Sequence, residues 1–266
     1  MGRPAAADLR VSDELLGVAE EAARGAGALL AERFVAGAGA VHAKSTPTDL
    51  ASEADLAAEA LIRDVLARRR PGDAILAEEG GGADARPGQV RWVVDPLDGT
   101  INFLFGIPQW CVSVAATLDG ATLAGVIYDP NRDELFAASA DGSATLDGAP
   151  LGPRATDALE EAMLVTGFGY DAELRRDQAE VVAQLVPRVR DIRRMGSAAL
   201  DLAWLAAGRY DAYFERGVKS WDVAAGSLLC RRAGLAVEDL PDRDGVPPGI
   251  VAGRASLVDA LRAFRL

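Results

Sequence analysis

The 266-residue sequence predicts an α+β fold that merges into a layered sandwich. Two long stretches with apolar residues at three- and four-residue steps come first, and short segments rich in Val, Ile and aromatic residues follow. After about residue 150 helical and strand-like segments alternate. We therefore expect an N-terminal lobe over residues 1–150, made of a helix pair and a largely antiparallel sheet, and a C-terminal αβα lobe over residues 151–266.

The first lobe begins with two predicted helices. Ser12 is a residue type that caps helices, and the apolar stripe after it predicts a helix from about Asp13 to Val35. A second helix is predicted over about Ala51 to Arg70. The dipeptide Pro71-Gly72 ends it, because proline cannot continue a helix and glycine favours a turn.

The strand signals of the first lobe lie between turn residues. The glycine-rich segment Gly80–Gly88 is typical of a mobile loop, and Gly99–Leu118 is interrupted too often by polar and turn residues to span a membrane, so we interpret it as a turn and a strand. The predicted strands are Ala74–Ala77, Arg91–Val94, Cys111–Leu118, Leu123–Tyr128 and Glu134–Ala138.

The second lobe alternates between the two periodicities. The predicted helices are Ala172–Leu185, Ser197–Ala207, Trp221–Ala233 and Leu257–Phe264. The predicted strands are Met163–Thr166, Arg190–Arg193, Asp211–Phe214, Leu235–Glu238 and Ile250–Ala252.

The charge balance limits the classes of partner. Asp and Glu number 40 against 28 Lys and Arg, so the formal net charge is −12. An acidic surface repels nucleic-acid phosphates and anionic lipid, so we expect no nucleic-acid partner and no membrane association. Metal ions are better candidates. Because His42 is the single histidine, hydrolysis centred on histidine and a histidine-rich zinc site are disfavoured.

The cysteines and the first residues indicate a compartment. Cys111 and Cys230 lie in apolar runs, form no metal-binding pattern and fit a reducing environment. The segment Met1–Glu14 lacks the apolar region of a secretory signal. The sequence therefore predicts a soluble cytoplasmic protein.

The most informative segment is WVVDPLDGTINF at residues 92–103. A hydrophobic strand ends at Asp95, Pro96 fixes the turn, and Gly99 allows a close backbone approach. Asp95 and Asp98 can then converge as oxygen ligands for a hard cation, and the backbone N–H groups of Gly99 and Thr100 offer a place for a phosphate. A capped β-turn is the alternative interpretation, since Asp, Pro and Gly are turn residues.

Two further acidic positions have weaker signals. Glu78 and Glu79 follow a predicted strand, where they could also be a solvated strand end. Asp222 begins a predicted helix after Glu215, where a carboxylate could simply interact with the helix dipole. Neither position identifies a site by itself.

Taken together, these three segments resemble the inositol monophosphatase family. The resemblance rests on Glu78-Glu79, on residues 95–103 (DPLDGTINF) and on residues 221–226 (WDVAAG), and it covers nearly the whole chain. It implies a magnesium-dependent, lithium-sensitive phosphatase of αβαβα architecture that forms a homodimer. Asn102-Phe103 after the threonine favours this branch over relatives that hydrolyse nucleotide 3′-phosphates, which tend to have Lys-Glu there.

The resemblance also implies a set of metal ligands. Glu78, Asp95 and the carbonyl of Leu97 correspond to ligands of one Mg²⁺, and Asp95, Asp98 and Asp222 to ligands of a second, with a third and weaker Mg²⁺ near Glu78. Two carboxylates 5 Å apart repel by about 3 kcal/mol at an effective dielectric constant near 20. Four gathered carboxylates are therefore costly unless divalent cations neutralise them, and the filled site can then attract a phosphate monoester.

The remaining implied positions concern water and substrate. Asp49 matches the family position that works with Thr100 to activate water, and Glu78 and Asp98 are expected to assist that step and the departure of the alcohol. The positions that match substrate contacts are Gly99, Thr100, Gly196, Ser197, Ala198 and Glu215. We add Lys219, which precedes Ser220-Trp221-Asp222 and could reach the rim of the site.

The sequence thus predicts a Mg²⁺-dependent phosphomonoesterase that acts on a small alcohol phosphate, myo-inositol monophosphate foremost. The same chemistry on histidinol phosphate, fructose 1,6-bisphosphate or a nicotinamide dinucleotide phosphate is the first alternative. A different class of protein, a non-catalytic dimeric regulator on the same scaffold, is the second. A regulator of this kind would not need four carboxylates that repel one another together with Thr100, so their presence argues against this alternative.

Overall fold

The computed structural model describes residues 6–37, 39–43, 50–82, 84–243 and 245–266. The chain starts with helix α1 (Ala6–Ala36), the short hairpin β1 (Val41–Ala43) and β2 (Leu50–Ser52), and helix α2 (Glu53–Arg69). Helix α1 begins before Ser12, so the predicted cap is wrong. The buried Ser12 hydroxyl instead lies 3.5 Å from Asp141 Oδ2, a tertiary contact that the local pattern does not encode.

An eight-stranded sheet follows in the first half of the chain. Its spatial order is β10-β9-β8-β7-β6-β5-β3-β4, and its neighbours pair antiparallel except β3 and β5. The short helix α3 (Thr100–Leu104), which the sequence analysis did not predict, follows β5 directly. The strands are β3 (Ala74–Ala77), β4 (Gly81–Gly82), β5 (Val90–Asp98), β6 (Cys111–Leu118), β7 (Ala121–Asp129), β8 (Glu134–Ser139), β9 (Thr145–Leu146) and β10 (Ala149–Pro150). The segment predicted as a loop over residues 80–88 therefore contains β4.

A five-stranded mixed sheet forms in the second half, in the order β12-β11-β13-β15-β14. The strands are β11 (Met163–Thr166), β12 (Asp191–Arg193), β13 (Ala212–Arg216), β14 (Ala236–Leu240) and β15 (Gly249–Gly253). The helices are α4 (Ala172–Leu185), α5 (Ala198–Ala206), α6 (Ser220–Arg232) and α7 (Ala255–Leu261), with 3₁₀ turns at Leu159–Glu161 and Val186–Arg188.

Three hydrophobic clusters hold these elements in five layers. The first cluster lies between α1 with α2 and one face of the large sheet, where Trp92 and Val94 of β5 are buried. The second lies between the opposite face, which carries Val93, and helices α5 and α6, and it continues to the small sheet. The third joins the small sheet to α4 and α7. The α+β prediction is confirmed, and the layers run αβαβα.

Two further observations complete the fold. Cys111 and Cys230 are both buried and free, as expected for cysteines that lie in apolar runs. Among the residues that the structure describes, none of the helices has both the length and the apolar composition that a bilayer crossing requires.

Candidate active site

A pocket of about 460 Å³ lies where β5 ends and helices α3, α5 and α6 begin. It brings together residues that are up to 144 positions apart in the sequence, from Glu78 to Asp222. Asp49 lies outside the described residues. All the other predicted site residues line this pocket, namely Glu78, Asp95, Leu97, Asp98, Gly99, Thr100, Gly196, Ser197, Ala198, Glu215, Lys219 and Asp222.

The turn at the end of β5 orients the first two carboxylates. The pairing of β5 with β6 shifts register between Asp95 and Asp98, which bends the strand at its end. The backbone N–H of Leu97 donates to Asp95 Oδ1 at 3.1 Å, so the carboxylate closes its own turn. Gly99 has φ +96°, and a Cβ atom there would lie 2.9 Å from the carbonyl oxygen of Gln109. The turn therefore requires glycine at this position.

Asp98 connects this turn to the second half of the chain. Its Oδ2 atom accepts hydrogen bonds from the Ser197 hydroxyl and the Ala199 backbone N–H, both at 2.7 Å, at the start of α5. Burial raises the pKa of Asp98 to about 6, although these two donors oppose the shift. The Cys111 thiol lies 3.9 Å from the same oxygen, so this cysteine borders the site as well as the core.

Neighbouring carboxylates of the pocket raise the pKa values of Asp95 and Asp222. Burial, followed by the charges of Glu78, Asp98 and Asp222, raises the pKa of Asp95 well above its ordinary value. Burial and the charge of Asp98 do the same to the pKa of Asp222. In the described part of the chain, no three acidic, histidine or cysteine side chains form a ready-made metal cluster. The described lining residues nevertheless include four carboxylates and the Leu97 carbonyl, oxygen donors that suit a hard divalent cation.

The Thr100 hydroxyl has a partner that the sequence analysis missed. Its oxygen lies 2.9 Å from Asp55 Oδ1 and 3.0 Å from the Leu97 carbonyl. A hydroxyl has one proton, and the ionised carboxylate is the stronger acceptor, so the hydrogen bond to Asp55 is favoured. Both side chains are buried.

Asp55 is held in place by the start of α2. Its Oδ2 atom accepts hydrogen bonds from the Ser52 backbone N–H and hydroxyl, and this capping box leaves Oδ1 to face Thr100. The spacing of Ser52 and Asp55 is a sequence signal for the helix start. No local signal indicates the contact with Thr100, which is 45 positions away.

The opposite wall of the pocket carries the predicted substrate positions. Gly196 has φ +90°, and a Cβ atom there would approach Arg194 Nη1 to 2.4 Å. Burial raises the pKa of Glu215 to about 7, against a hydrogen bond from the Tyr213 hydroxyl at 3.0 Å. Lys219 is exposed at the rim, and its backbone N–H donates to Asp222 Oδ2 at 2.6 Å. This wall thus combines a protonatable carboxyl with an exposed positive charge.

Two more residues of this wall escaped the sequence analysis. Arg194 lines the pocket and lowers the pKa of Glu215. Asp201 of α5 is buried behind it, and burial together with the charges of Glu215 and Asp98 raises its pKa well above the ordinary value. Neither residue belongs to a recognisable motif, because their contribution depends on neighbours from other elements.

The chain is similar to known proteins over most of its length. The profile of the inositol monophosphatase family matches residues 11–262. The inositol-1-monophosphatase of Mycobacterium leprae is 48% identical over 239 residues, which are 86% of this chain and 82% of that protein. The Nus factor SuhB of Escherichia coli is 39% identical over 252 residues, 94% of each chain. A solved structure is similar as well: the extragenic suppressor protein SuhB of Bartonella henselae has a TM-score of 0.86 at 36% identity and covers 94% of this chain and 98% of its own.

Proposed function

This chain belongs to the inositol monophosphatase family and is a phosphoric monoester hydrolase, and from that premise we propose that it hydrolyses myo-inositol monophosphate or a similar small alcohol phosphate with Mg²⁺. The observation that supports this most is the convergence of Glu78, Asp95, Asp98 and Asp222 on one pocket beside Thr100. Burial and neighbouring charges raise the pKa values of Asp95 and Asp222, so a pocket that gathers these carboxylates is destabilised when it has no cationic ligand.

The residues present fit two or three Mg²⁺ ions. Glu78, Asp95 and the carbonyl of Leu97 would hold one ion, and Asp95, Asp98 and Asp222 would hold a second, with a third near Glu78. When bound, the ions supply Lewis acidity, lower the pKa of water and neutralise charge on the leaving oxygen. Asp98 is suited to this role, because the hydrogen bonds from Ser197 and Ala199 to its Oδ2 atom fix the orientation of the carboxylate.

The residues of the chain position and activate the attacking water. The Thr100 hydroxyl donates to Asp55, so its own lone pair can accept a proton from a water molecule that approaches phosphorus. The new P–O bond forms as the bond to the alcohol oxygen breaks on the opposite side. The leaving oxygen takes up one proton, which balances the proton that Thr100 passes on to Asp55, and Asp98 and Glu78 would hold the water molecule that delivers it. Asp49 remains a second candidate for the partner of Thr100. The N–H groups of Gly99 and Thr100 are suited to hold the phosphate.

The alcohol part of the substrate would lie on the opposite wall. Gly196, Ser197, Ala198 and Glu215 line it and provide backbone and carboxyl groups that can bind hydroxyls. A carboxyl with a pKa of about 7 can accept or donate a hydrogen bond near neutral pH. This versatility favours a polyhydroxylated alcohol.

Release of orthophosphate from a panel of monoesters, with and without Mg²⁺, tests this function. The panel comprises myo-inositol 1-phosphate, histidinol phosphate, fructose 1,6-bisphosphate, a nicotinamide dinucleotide phosphate and p-nitrophenyl phosphate. We expect Mg²⁺-dependent turnover with the highest kcat/KM for the inositol phosphate. A higher kcat/KM for another monoester of the panel would support the same Mg²⁺-dependent hydrolysis with a different substrate.

A non-catalytic regulator is the alternative from a different class. It is favoured by the name of the Escherichia coli relative, Nus factor SuhB, which describes a factor rather than an enzyme. Absence of turnover across the panel in a folded protein that still binds Mg²⁺ would support this alternative. The retained Asp55–Thr100 hydrogen bond argues for catalysis, because a binding scaffold does not need it.

We expect Lys219 to affect selectivity rather than chemistry. Its side chain is exposed at the pocket rim and is not a proposed metal ligand, so it can meet a hydroxyl or a second anionic group of a large substrate. Lys219→Ala should lower kcat/KM severalfold for fructose 1,6-bisphosphate, and kcat/KM for p-nitrophenyl phosphate should stay nearly unchanged.

The matched control for this experiment is Arg176→Ala. Arg176 is an exposed cation on α4 that pairs with Glu173 and does not line the pocket. Arg176→Ala should leave kcat/KM unchanged for every substrate. The comparison then separates the loss of a local contact at Lys219 from the change in net charge that both variants share. An equal loss for every substrate in Lys219→Ala would instead assign Lys219 a structural role.

The family resemblance also supports three properties that accompany this function. We propose that two copies form a homodimer, that Li⁺ inhibits the enzyme and that it acts in the cytoplasm. Phe105 and Ile107, which are 75% and 48% exposed, are large apolar side chains that a second copy could cover. Light scattering on the purified protein measures the oligomeric state directly.

A further inference from the structure

Helix α2 carries two buried carboxylates that face the pocket region from the same side. Asp55 and Glu59 are four residues apart, and this spacing places them one turn apart on one face of the helix. Asp55 contacts Thr100, as described above. Glu59 is 5% exposed and has no position in the proposed chemistry, so its partners require a separate explanation.

The carboxylate of Glu59 binds the backbone of the turn that follows β3. Its Oε2 atom accepts a hydrogen bond from the Glu79 N–H at 2.9 Å, and the Gly80 N–H lies 3.0 and 3.1 Å from its two oxygens. Arg63, one helical turn later, donates to Glu59 Oε1 at 2.6 Å and to the carbonyl of Gly81 at 2.7 Å. A single pair of helix residues thus holds the last two residues of the turn and the first residue of β4.

This turn begins with Glu78, whose side chain reaches the centre of the carboxylate pocket. Glu78 and Asp95 are close enough to form a side-chain hydrogen bond. The backbone N–H of Glu78 donates to the carbonyl of Val94 at 3.2 Å, so β5 fixes one side of the residue. The other side, at Glu79 and Gly80, is fixed by Glu59. A Cβ atom at position 80 would lie 2.5 Å from Glu59 Oε1, which shows how closely the turn packs on this carboxylate.

We propose that Glu59 is a positioning residue that sets the Mg²⁺ affinity of the site by holding the Glu78–Gly80 turn against helix α2. The inference rests on the proposed function, because it concerns the metal that Glu78 would bind. Loss of a group that orients a metal ligand typically lowers metal affinity by about 10- to 100-fold, since a ligand on a mobile turn loses conformational entropy when it binds.

The experiment measures Mg²⁺ affinity without relying on turnover. The melting temperature of each variant is titrated with MgCl₂, and the concentration that gives half of the maximal shift is compared with the Mg²⁺ concentration for half-maximal hydrolysis of p-nitrophenyl phosphate. We expect Glu59→Ala to raise both midpoints about tenfold, with kcat at saturating Mg²⁺ within severalfold of the unmutated protein. Glu59→Gln, which keeps an oxygen acceptor, should raise them about threefold.

A matched control removes a comparable ion pair from the same helix. Asp64 and Arg68 are an exposed pair four residues apart on α2, so Asp64→Ala should leave both Mg²⁺ midpoints unchanged. If Glu59→Ala does not fold, the Mg²⁺ midpoints of Glu59→Gln decide between the two outcomes. Unchanged midpoints in the folded Glu59 variants, together with a lower melting temperature, would overturn the proposal and leave Glu59 a purely structural residue. A lack of any Mg²⁺ response in the unmutated protein would contradict the proposed function instead.

Discussion

Thr100→Ala should lower kcat by about 10²- to 10⁴-fold and leave KM and the Mg²⁺ midpoint nearly unchanged. The substitution removes the hydroxyl that receives a proton from water, but it keeps the backbone N–H that can hold phosphate and all four carboxylates. Steady-state kinetics on myo-inositol 1-phosphate, together with the melting titration, measures these quantities separately. A parallel rise of KM and of the Mg²⁺ midpoint would contradict the assigned role.

Asp55→Asn should behave in the same way as Thr100→Ala. The amide must still accept hydrogen bonds from Ser52, so its NH₂ group would face Thr100 and could not take the hydroxyl proton. The double variant should be no slower than the slower single variant, because both changes break one relay. Losses that multiply would show that the two residues act independently.

Two controls make this test specific. Ser52→Ala removes a partner of the capping box at a cost of about 1 kcal/mol, yet it leaves Asp55 facing Thr100, so kcat should remain within severalfold. Asp49→Asn tests the other candidate. If Asp49→Asn is coupled to Thr100→Ala and Asp55→Asn is not, the relay runs through Asp49.

The second large effect concerns Asp95 and Mg²⁺. A Mg²⁺ concentration one hundred times Kd should stabilise the protein by about 2.7 kcal/mol, which corresponds to roughly 5 to 10 °C in melting temperature for a chain of this size. Asp95→Asn should remove most of this shift and reduce hydrolysis to background, because Asp95 is the proposed ligand of both principal ions. Differential scanning fluorimetry in EDTA and in a MgCl₂ series measures the shift.

The melting temperature without metal provides an independent test of the role of Asp95. Burial and three neighbouring charges raise the pKa of Asp95, so ionising it costs folding free energy when no cation is present. Asp95→Asn in EDTA is therefore expected to melt at or above the unmutated protein, while it melts below it in Mg²⁺. A Mg²⁺-independent melting temperature of the unmutated chain would contradict the two-metal assignment.

The matched control for Asp95 is another buried aspartate. Asp129 is fully buried, but it pairs with Arg132 and accepts a hydrogen bond from the backbone N–H of Asn131, away from the pocket. Asp129→Asn should lower the melting temperature with and without metal and should retain the Mg²⁺-dependent shift. This separates the loss of a buried carboxylate from the loss of a metal ligand.

Much of the fold could be predicted because its signals are local. The boundaries of α4 agree with the predicted helix, and β3, β6 and β11 agree with the predicted strands, since turn residues delimit these segments. The start of α1 was wrong and α3 was missed. Helix α3 has only five residues, too few to display a periodicity, and the residue that precedes it, Gly99, has a positive φ.

By itself, the sequence determined the fold class and the motif that delivers Asp95, Asp98 and Thr100 to one turn, because all three lie within six residues and their geometry follows from the chain between them. Only the tertiary structure decided which residues complete the site. Asp55 reaches Thr100 across 45 positions, Asp98 accepts from Ser197 across 99, and Glu59 holds a turn about 20 residues away. Such contacts depend on how helices pack on a sheet, and the hydrophobic burial that fixes this packing gives no local signal at the polar residues it brings together.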